Sequence, residues 1–196
     1  DHTMHTIPPM IREIVYKIKE KRNKQSSSDV IVYLSSYSEF VQTPAEVVAE
    51  LSQIKDQNFH IFCINPKAYY PLIEGSPNIK AYKTGDPNFE RLLENVECVL
   101  CTGGHNFISE LMFLGIPAYV VPLGNYEQHY NAHIIGKNEF GIKRSKIEAQ
   151  EVRSFIGKQR QYQYNLATDE QILYHGEGIF RIKQKINQVM PLFDTY

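Results

Sequence analysis

Residues 96–132 read VECVLCTGGHNFISELMFLGIPAYVVPLGNYEQHYNA, and this segment determines the architecture that we expect. Residues 96–101 and 118–122 are short apolar runs rich in β-branched residues, which is typical of buried strands. Residues 105–114 lie between them and have the apolar spacing of a helix, and a second helix is predicted over residues 127–138. Strand, helix and strand in this order indicate a βαβ unit, whose two strands lie parallel.

The same alternation extends upstream. Further strands are predicted at residues 30–34, 60–64 and 79–82. A helix is expected after Thr43, because Thr43, Pro44 and Glu46 have the pattern of an N-cap, a proline in the first turn and a capping box. Another helix is expected from Asp86. This pattern predicts an α/β fold with a Rossmann-like parallel sheet and helices on both faces, in which ligands bind beyond the carboxyl ends of the strands.

The chain is expected to consist of a lead-in, one domain and a tail. Residues 1–28 contain a Pro-Pro pair and then a charged amphipathic stretch, which is typical of an interdomain connection that includes a first helix. Residues 29–178 are expected to form the domain, and residues 179–196 a C-terminal helix and tail. After Gly141 only helices are predicted, near residues 148–159, 169–174 and 180–189.

Composition and charge exclude several classes of function. The chain has 21 Lys and Arg against 22 Asp and Glu, so it has no basic field for nucleic acid or an anionic membrane. No apolar run reaches the roughly 18–20 residues that a transmembrane helix needs, and no signal peptide opens the sequence. We therefore expect a cytoplasmic protein, which a further domain outside this sequence could hold at the inner face of a membrane.

The cysteines and histidines do not indicate a disulfide framework or a metal site. Cys98 and Cys101 have CxxC spacing, but residues three apart on a strand point to opposite faces, so both are expected to be small buried side chains. With Cys63 there are only three cysteines, which favours a reducing compartment. His129 and His133 lie one helical turn apart without a third ligand, so no metal is expected.

A Gly-rich loop and the helix after it carry the first candidate binding residues. The loop Thr102–Asn106 has two glycines that let backbone approach a ligand, and the helix start favours an anion; a tight turn is the alternative interpretation. Glu110 lies four residues after Asn106 and shares its helix face. Because its neighbours are apolar, this carboxylate needs a partner and is well placed to accept two ribose hydroxyls, unless it is a solvated helix residue.

A second loop, residues 122–128, is polar and follows a strongly apolar strand. Its Glu127 and Gln128 stand at the start of a helix, where an acceptor and an amide could share the hydroxyls of a sugar. Taken alone, Glu127 would more often be a carboxylate typical of a helix N terminus than a sugar ligand. A third loop, residues 35–42, follows the first strand of the predicted domain and begins with Ser35 and Ser36.

Residues 102–132 resemble the donor-binding signature of GT-B glycosyltransferases. They are similar to the bacterial peptidoglycan N-acetylglucosaminyltransferase and to the UDP-glucuronosyltransferases with their plant relatives. The shared pattern is a Gly-rich turn, Asn, Glu, Gly-x-Pro, Pro, an acidic residue with Gln, and Asn-Ala, in matching order and spacing. The resemblance implies the nucleotide-sugar-binding C-terminal half of a two-domain GT-B fold.

This resemblance also implies roles for individual residues. Glu110 matches the ribose-binding glutamate, and Glu127 with Gln128 matches the pair that binds the donor sugar. The implied diphosphate contacts are Ser35, Ser36, Gly103, Gly104, His105 and Asn106, the serines by position rather than by motif. The nucleobase of the donor is expected to bind near Tyr82–Lys83. This sequence departs from the plant relatives at two positions. The relatives have a phosphate-contacting histidine where this sequence has Thr102, and a tryptophan where it has His105.

The implied activity is metal-independent transfer, with inversion, of a hexose or N-acetylhexosamine from a UDP-sugar to an acceptor. No cofactor is expected besides this donor substrate. In this family the catalytic base comes from the N-terminal acceptor-binding domain, so the chain alone is expected to be inactive. Three alternatives stay open: a complete donor-binding subunit that works with a partner subunit, a non-catalytic nucleotide-sugar-binding module, and a sugar-nucleotide epimerase of the same fold.

Overall fold

The structure is a computed structural model that describes residues 9–22, 27–34, 40–169 and 182. In these residues the strands are β1 (Asp29–Tyr33), β2 (Asn58–Cys63), β3 (Ile79–Lys83), β4 (Val99–Cys101), β5 (Ala118–Val120) and β6 (Gly141–Lys143). The helices are α1 (Glu13–Lys21), α2 (Pro44–Leu51), α3 (Tyr70–Ile73), α4 (Asn88–Leu93), α5 (His105–Leu114), α6 (Tyr126–Lys137), α7 (Ala149–Gly157) and α8 (Gln159–Thr168), and Pro66–Ala68 forms a 3-10 helix.

The strands form one parallel sheet in the order β3-β2-β1-β4-β5-β6. Because the strand order reverses between β1 and β4, the connections that leave these two strands run to opposite sides and open a crevice at their carboxyl ends. Helices cover both faces, as predicted for a Rossmann-like fold. The crevice lies beyond the carboxyl ends of the strands, where the sequence analysis predicts that a ligand binds.

Two buried apolar clusters cover the two faces of the sheet. On β1, Ile31 belongs to one cluster, and Val30 and Val32 belong to the other, as the period of two along a strand requires. The first cluster includes Val15 of α1 and side chains of α4, α5 and α6. The second includes side chains of α2 and α7. The helices α1, α4 and α5 therefore border the crevice from the same side of the sheet.

Local sequence signals place several elements where they were predicted. Helix α5 has the predicted bounds, and Gly115 ends it in the left-handed conformation. The capping box of α2 is present: the Glu46 amide donates to Thr43 Oγ1 at 3.3 Å, and the Thr43 amide donates to Glu46 Oε2 at 2.7 Å. Other boundaries shift by a few residues, and the strand predicted from residue 96 begins at Val99. Helix α1, the first helix predicted within residues 1–28, begins at Glu13.

The prediction of helices alone after Gly141 is wrong, because Gly141–Lys143 forms β6 beside β5. Gly141 approaches β5 so closely that a Cβ there would lie 1.9 Å from the Ala118 carbonyl oxygen. A glycine at this position permits the pairing, although in the sequence it resembles a strand breaker. The short helices between Pro66 and Ile73 were also missed. The helices predicted near residues 169–174 and 180–189, and the tail 179–196, lie outside the described residues, Asp169 and Ile182 apart.

Candidate functional site

A cavity of about 770 Å³ opens at the carboxyl end of the sheet. Its walls come from the segment before α1, the end of β1, the β3–α4 connection and the first turns of α5. Asn106 and Glu110 both line it, which confirms that they share one face of α5. The other lining residues are Met10, Ile11, Arg12, Tyr33, Thr84, Gly85, Asp86, Pro87, Phe89, Glu90 and Phe107.

Glu110 is the buried charged group of this cavity. Its side chain is 3% exposed, and Arg12 binds it with two hydrogen bonds. Arg12 Nε donates to Oε1 at 2.6 Å, and Arg12 Nη2 donates to Oε2 at 2.8 Å. The hydrogen bond to Glu110 raises the pKa of Arg12, against the opposing effect of burial. The expectation that the carboxylate needs a partner is confirmed, but the partner in this structure is a protein side chain.

Aromatic rings form the wall between the sheet and α5. Tyr33 lies 4.6 Å from Phe107 and 5.2 Å from Phe89, measured between ring centroids. The β3–α4 connection contributes Thr84 to the cavity lining, and Thr84 Oγ1 is buried and has no hydrogen-bond partner among the described residues. The rings of Tyr33, Phe89 and Phe107, tilted by 46° and 50° at these two contacts, form an apolar wall that suits a planar ring.

The Gly-rich loop packs tightly at its first glycine and is open at its second. Gly103 has φ +90°, and a Cβ there would lie 2.8 Å from Val120 Cγ1. At Gly104 a Cβ would meet no atom within 4 Å, so the backbone is accessible at this position. The next amide is already used, because His105 N donates to Glu127 Oε1 at 3.0 Å. A carboxylate therefore lies at the helix start where an anionic ligand was predicted.

The second predicted loop contacts the first. Asn131 Nδ2 donates to the Gly103 carbonyl oxygen at 2.9 Å, and Glu127 reaches the His105 amide. Gln128 is 9% exposed, and its Oε1 accepts from the Leu123 amide at 2.9 Å. The structure thus brings the two loops together, with Glu127 at the surface and Gln128 bracing the loop.

The predicted site residues fall into three groups. Asn106 and Glu110 line the cavity. A second group stands beside it, at the joined loops, and consists of Gly103, Gly104, His105, Glu127 and Gln128. Ser35 and Ser36 lie outside the described residues. The structure does not test their binding roles, which stay predictions.

Sequence reasoning missed the cation that pairs with Glu110 in the cavity. Arg12 was treated as part of a lead-in, although a buried carboxylate at Glu110 called for a cation. The two residues are 98 positions apart, so no local spacing could reveal the pair. The position of the nucleobase near Tyr82–Lys83 stays a prediction, and Thr84, the next residue along the chain, lines the cavity. Tyr82 itself stacks on Phe62, with 4.9 Å between ring centroids.

Cys98, Cys101, His129 and His133 do not line the cavity. Cys98 and Cys101 belong to opposite core clusters, and burial raises the pKa of each thiol to about 12. His129 and His133 are exposed on α6. Within the described residues there is no group of three or more His, Cys, Asp or Glu side chains placed to hold a metal ion. No helix in that part of the chain has the length and apolar character needed to cross a bilayer.

The sequence profile described as Glycosyl transferase family 1 matches residues 2–159. This match covers more than half of the 196 residues, and the chain belongs to this family. Comparison with curated protein sequences finds no match.

Solved structures with the same fold include GT-B enzymes. The glycotransferase of kitacinnamycin is 17% identical with a TM-score of 0.62, over 85% of this chain and 44% of that chain. MurG of Acinetobacter baumannii is 13% identical with a TM-score of 0.62, over 96% and 58%. The UDP-GlcNAc 2-epimerase from Neisseria meningitidis, bound to UDP-GlcNAc, is 14% identical with a TM-score of 0.60, over 83% and 45%.

These comparisons confirm the GT-B resemblance at the level of family and fold. The chain is a glycosyltransferase-family domain that matches the C-terminal domain of the GT-B fold. It spans between 44% and 58% of the length of these three structures. The activity, substrates and partners of a whole enzyme are therefore matters for proposal.

Proposed function

We propose that this chain binds the UDP-sugar donor of an inverting glycosyltransferase that transfers a hexose or N-acetylhexosamine. The observation that carries the proposal is the cavity at the strand-order reversal between β1 and β4, with the carboxylate of Glu110 in its wall. Glu110 lies on α5 one turn after Asn106, and the backbone at Gly104 is accessible. This arrangement suits a nucleoside whose diphosphate reaches the start of the helix.

Each part of the donor has a proposed partner. Glu110 accepts the two ribose hydroxyls, and the planar base stands between the aromatic wall and the β3–α4 connection. The diphosphate contacts the Gly-rich turn. The proposed set is Ser35, Ser36, Gly103, Gly104, His105 and Asn106. Since Glu127 holds the His105 amide in this structure, the diphosphate displaces that carboxylate, which then becomes available with Gln128 for the sugar.

The chemistry requires stabilisation of a departing diphosphate. Oriented amides at the start of α5 supply positive potential without reorganising during the reaction. The proposed mechanism therefore uses neither a metal nor another cofactor. Deprotonation of the acceptor and attack from the opposite face need a base and an acceptor site. We assign both to an N-terminal domain or partner subunit, without which this chain is inactive.

A non-catalytic nucleotide-sugar-binding module is the second candidate function. It would use the same cavity, so binding measurements alone do not separate it from a transferase. Addition of the N-terminal half would separate them, because only a transferase then hydrolyses or transfers the sugar of its donor. A complete two-polypeptide enzyme would likewise gain activity on addition of its partner subunit.

Calorimetry with UDP, in the presence and absence of a divalent-metal chelator, tests the proposed site. We expect saturable binding with the same affinity under both conditions, since amides and the carboxylate make the contacts. Cytidine and guanosine diphosphates serve as matched ligands that keep the ribose and diphosphate and change the base. Strict dependence on a divalent metal, or no binding of any nucleoside diphosphate, would contradict the proposal.

A further inference from the structure

The Arg12–Glu110 pair occupies the atoms that a ribose would need. Both carboxylate oxygens of Glu110 accept a hydrogen bond from the guanidinium, at 2.6 and 2.8 Å. Two charge-assisted bonds in a planar bidentate arrangement form a strong contact. A pair of ribose hydroxyls would approach the same two oxygens. The nucleotide and Arg12 therefore compete for one carboxylate.

We propose that Arg12 is a displaceable latch on Glu110, which holds the carboxylate in the empty site and leaves it when ribose binds. The proposal rests on the proposed function, because it assumes a ribonucleotide in this cavity. Its consequence is a coupling between donor affinity and the position of the segment before α1. Anything that draws this segment away from α5 strengthens donor binding, and bound donor releases the segment.

The two partners differ in their freedom to move. Glu110 is 3% exposed and lies on α5 among buried residues, so its carboxylate cannot turn to solvent. Arg12 is 57% exposed and stands at the N-cap position of α1, where it makes no side-chain capping bond. A released guanidinium is hydrated at once, whereas a released carboxylate stays buried and needs a new partner. Displacement of Arg12 is thus the available route.

Helix α1 does not depend on this contact. Val15 and Ile18 are buried in the core, and at the other end of the helix Arg22 donates to the carbonyl oxygens of Leu93 and Val96. The Arg12 side chain can therefore leave Glu110 while α1 stays packed. This arrangement also supplies a matched control, since a second arginine attaches the same helix at a point outside the cavity lining.

The test is Arg12→Ala in the full chain, titrated by calorimetry with UDP and with 2′,3′-dideoxyuridine diphosphate. Without the latch, ribose gains the carboxylate with no competing contact, so UDP should bind about fivefold to twentyfold more tightly. The dideoxy ligand has no hydroxyls for Glu110, and its affinity should change less than about twofold. The free variant should melt at a lower temperature, because a buried carboxylate has lost its partner.

Arg22→Ala is the control for loosening of α1. It should lower the melting temperature without changing the affinity of either ligand. Arg12→Gln provides a second variant if Arg12→Ala does not fold, because its amide can still donate one hydrogen bond to Glu110. We expect this variant to bind UDP with an affinity between those of the wild type and Arg12→Ala.

The outcomes separate the latch from the proposed function. Weaker binding of both ligands by Arg12→Ala would show that Arg12 contacts the diphosphate, and unchanged binding of both would show a purely structural pair; either result overturns the latch alone. Failure of the wild type and both variants to bind any nucleoside diphosphate would overturn the latch together with the proposed function. A gain for UDP that is absent for the dideoxy ligand supports it.

Discussion

Replacement of Glu110 by Gln tests the ribose assignment. The substitution keeps the size of the side chain and removes its charge and one acceptor oxygen, at a position that is 3% exposed. It changes two interactions at once: the ion pair with Arg12 in the empty site, and the proposed contact with ribose in the occupied site. These two effects can be measured separately, because only the first exists without ligand.

The stability effect follows from the exposure of the two partners. Arg12 is 57% exposed, so solvent screens the pair and the freed guanidinium is hydrated. We expect the free energy of unfolding to fall by about 1 kcal/mol. For a chain of this size that corresponds to a melting temperature lower by roughly 2–4 °C. If the Glu110 carboxylate had no partner in the empty site, Glu110→Gln would be as stable as the wild type or more stable. The bidentate contact with Arg12 predicts a loss of stability instead.

The binding effect follows from the acceptor oxygens that ribose would use. Hydrogen bonds to a charged group contribute about 1.5–3 kcal/mol each, and Gln retains one neutral acceptor. Part of the wild-type gain is offset, because Arg12 must first be released. We therefore expect UDP to bind about tenfold more weakly to Glu110→Gln, which corresponds to about 1.4 kcal/mol. The dideoxy ligand should bind the variant and the wild type almost equally.

Calorimetry and thermal melting on the same preparations supply both quantities. Glu151→Gln is the matched control, because it breaks an Arg–Glu pair with Arg144, of 2.7 and 2.8 Å, outside the cavity lining. The control should lower the melting temperature and leave UDP binding unchanged. If Glu110→Gln behaves in the same way, Glu110 is only a structural partner of Arg12, and the ribose assignment is refuted.

Two further predictions concern the sugar end of the site and the amino end of strand β1. Glu127→Ala frees the His105 amide, so UDP should bind about twofold to threefold more tightly. UDP-glucose should not gain this affinity, because its sugar loses the proposed contact with Glu127. Equal changes for both ligands in calorimetry would show that Glu127 does not bind the sugar. Although burial opposes it, the hydrogen bond with His60 lowers the pKa of Asp29, so its contribution to stability is present above about pH 4 and is lost as the pH falls further. Urea denaturation should therefore show a cost of Asp29→Asn at pH 6 that shrinks at pH 3, whereas a constant difference would contradict this origin.

The parts of the fold that local chemistry dictates could be predicted from the sequence. The capping box of Thr43 and Glu46 starts α2, and the apolar spacing of residues 105–114 gives α5 its length. Strand β6 could not be predicted, because it consists of three residues whose pairing depends on the absence of a side chain at Gly141. That requirement comes from the backbone of β5, which is remote in sequence and leaves no periodic signal.

The same division applies to the candidate site. Asn106 and Glu110 face one cavity because residues four apart share a helix face, which spacing alone reveals. The contact between Glu127 and the His105 amide spans 22 residues, and the contact between Arg12 and Glu110 spans 98. Both pairs depend on how strands of the sheet are ordered. The chemistry of each residue type could be assigned from sequence, but its partner in the empty protein could not.

These two unforeseen contacts have one physical origin. A site suited to a diphosphate and a ribose presents exposed amides at a helix start and a carboxylate in an apolar wall, and each is unfavourable without a partner. In this structure a carboxylate from α6 takes the place of the anion, and a guanidinium from the lead-in takes the place of the hydroxyl donors. The empty site is thereby stabilised by interactions that a donor must replace one by one. The affinity for UDP then measures a difference between two sets of contacts, so substitutions of Arg12 and Glu127 should act on it with the opposite sign to substitution of Glu110.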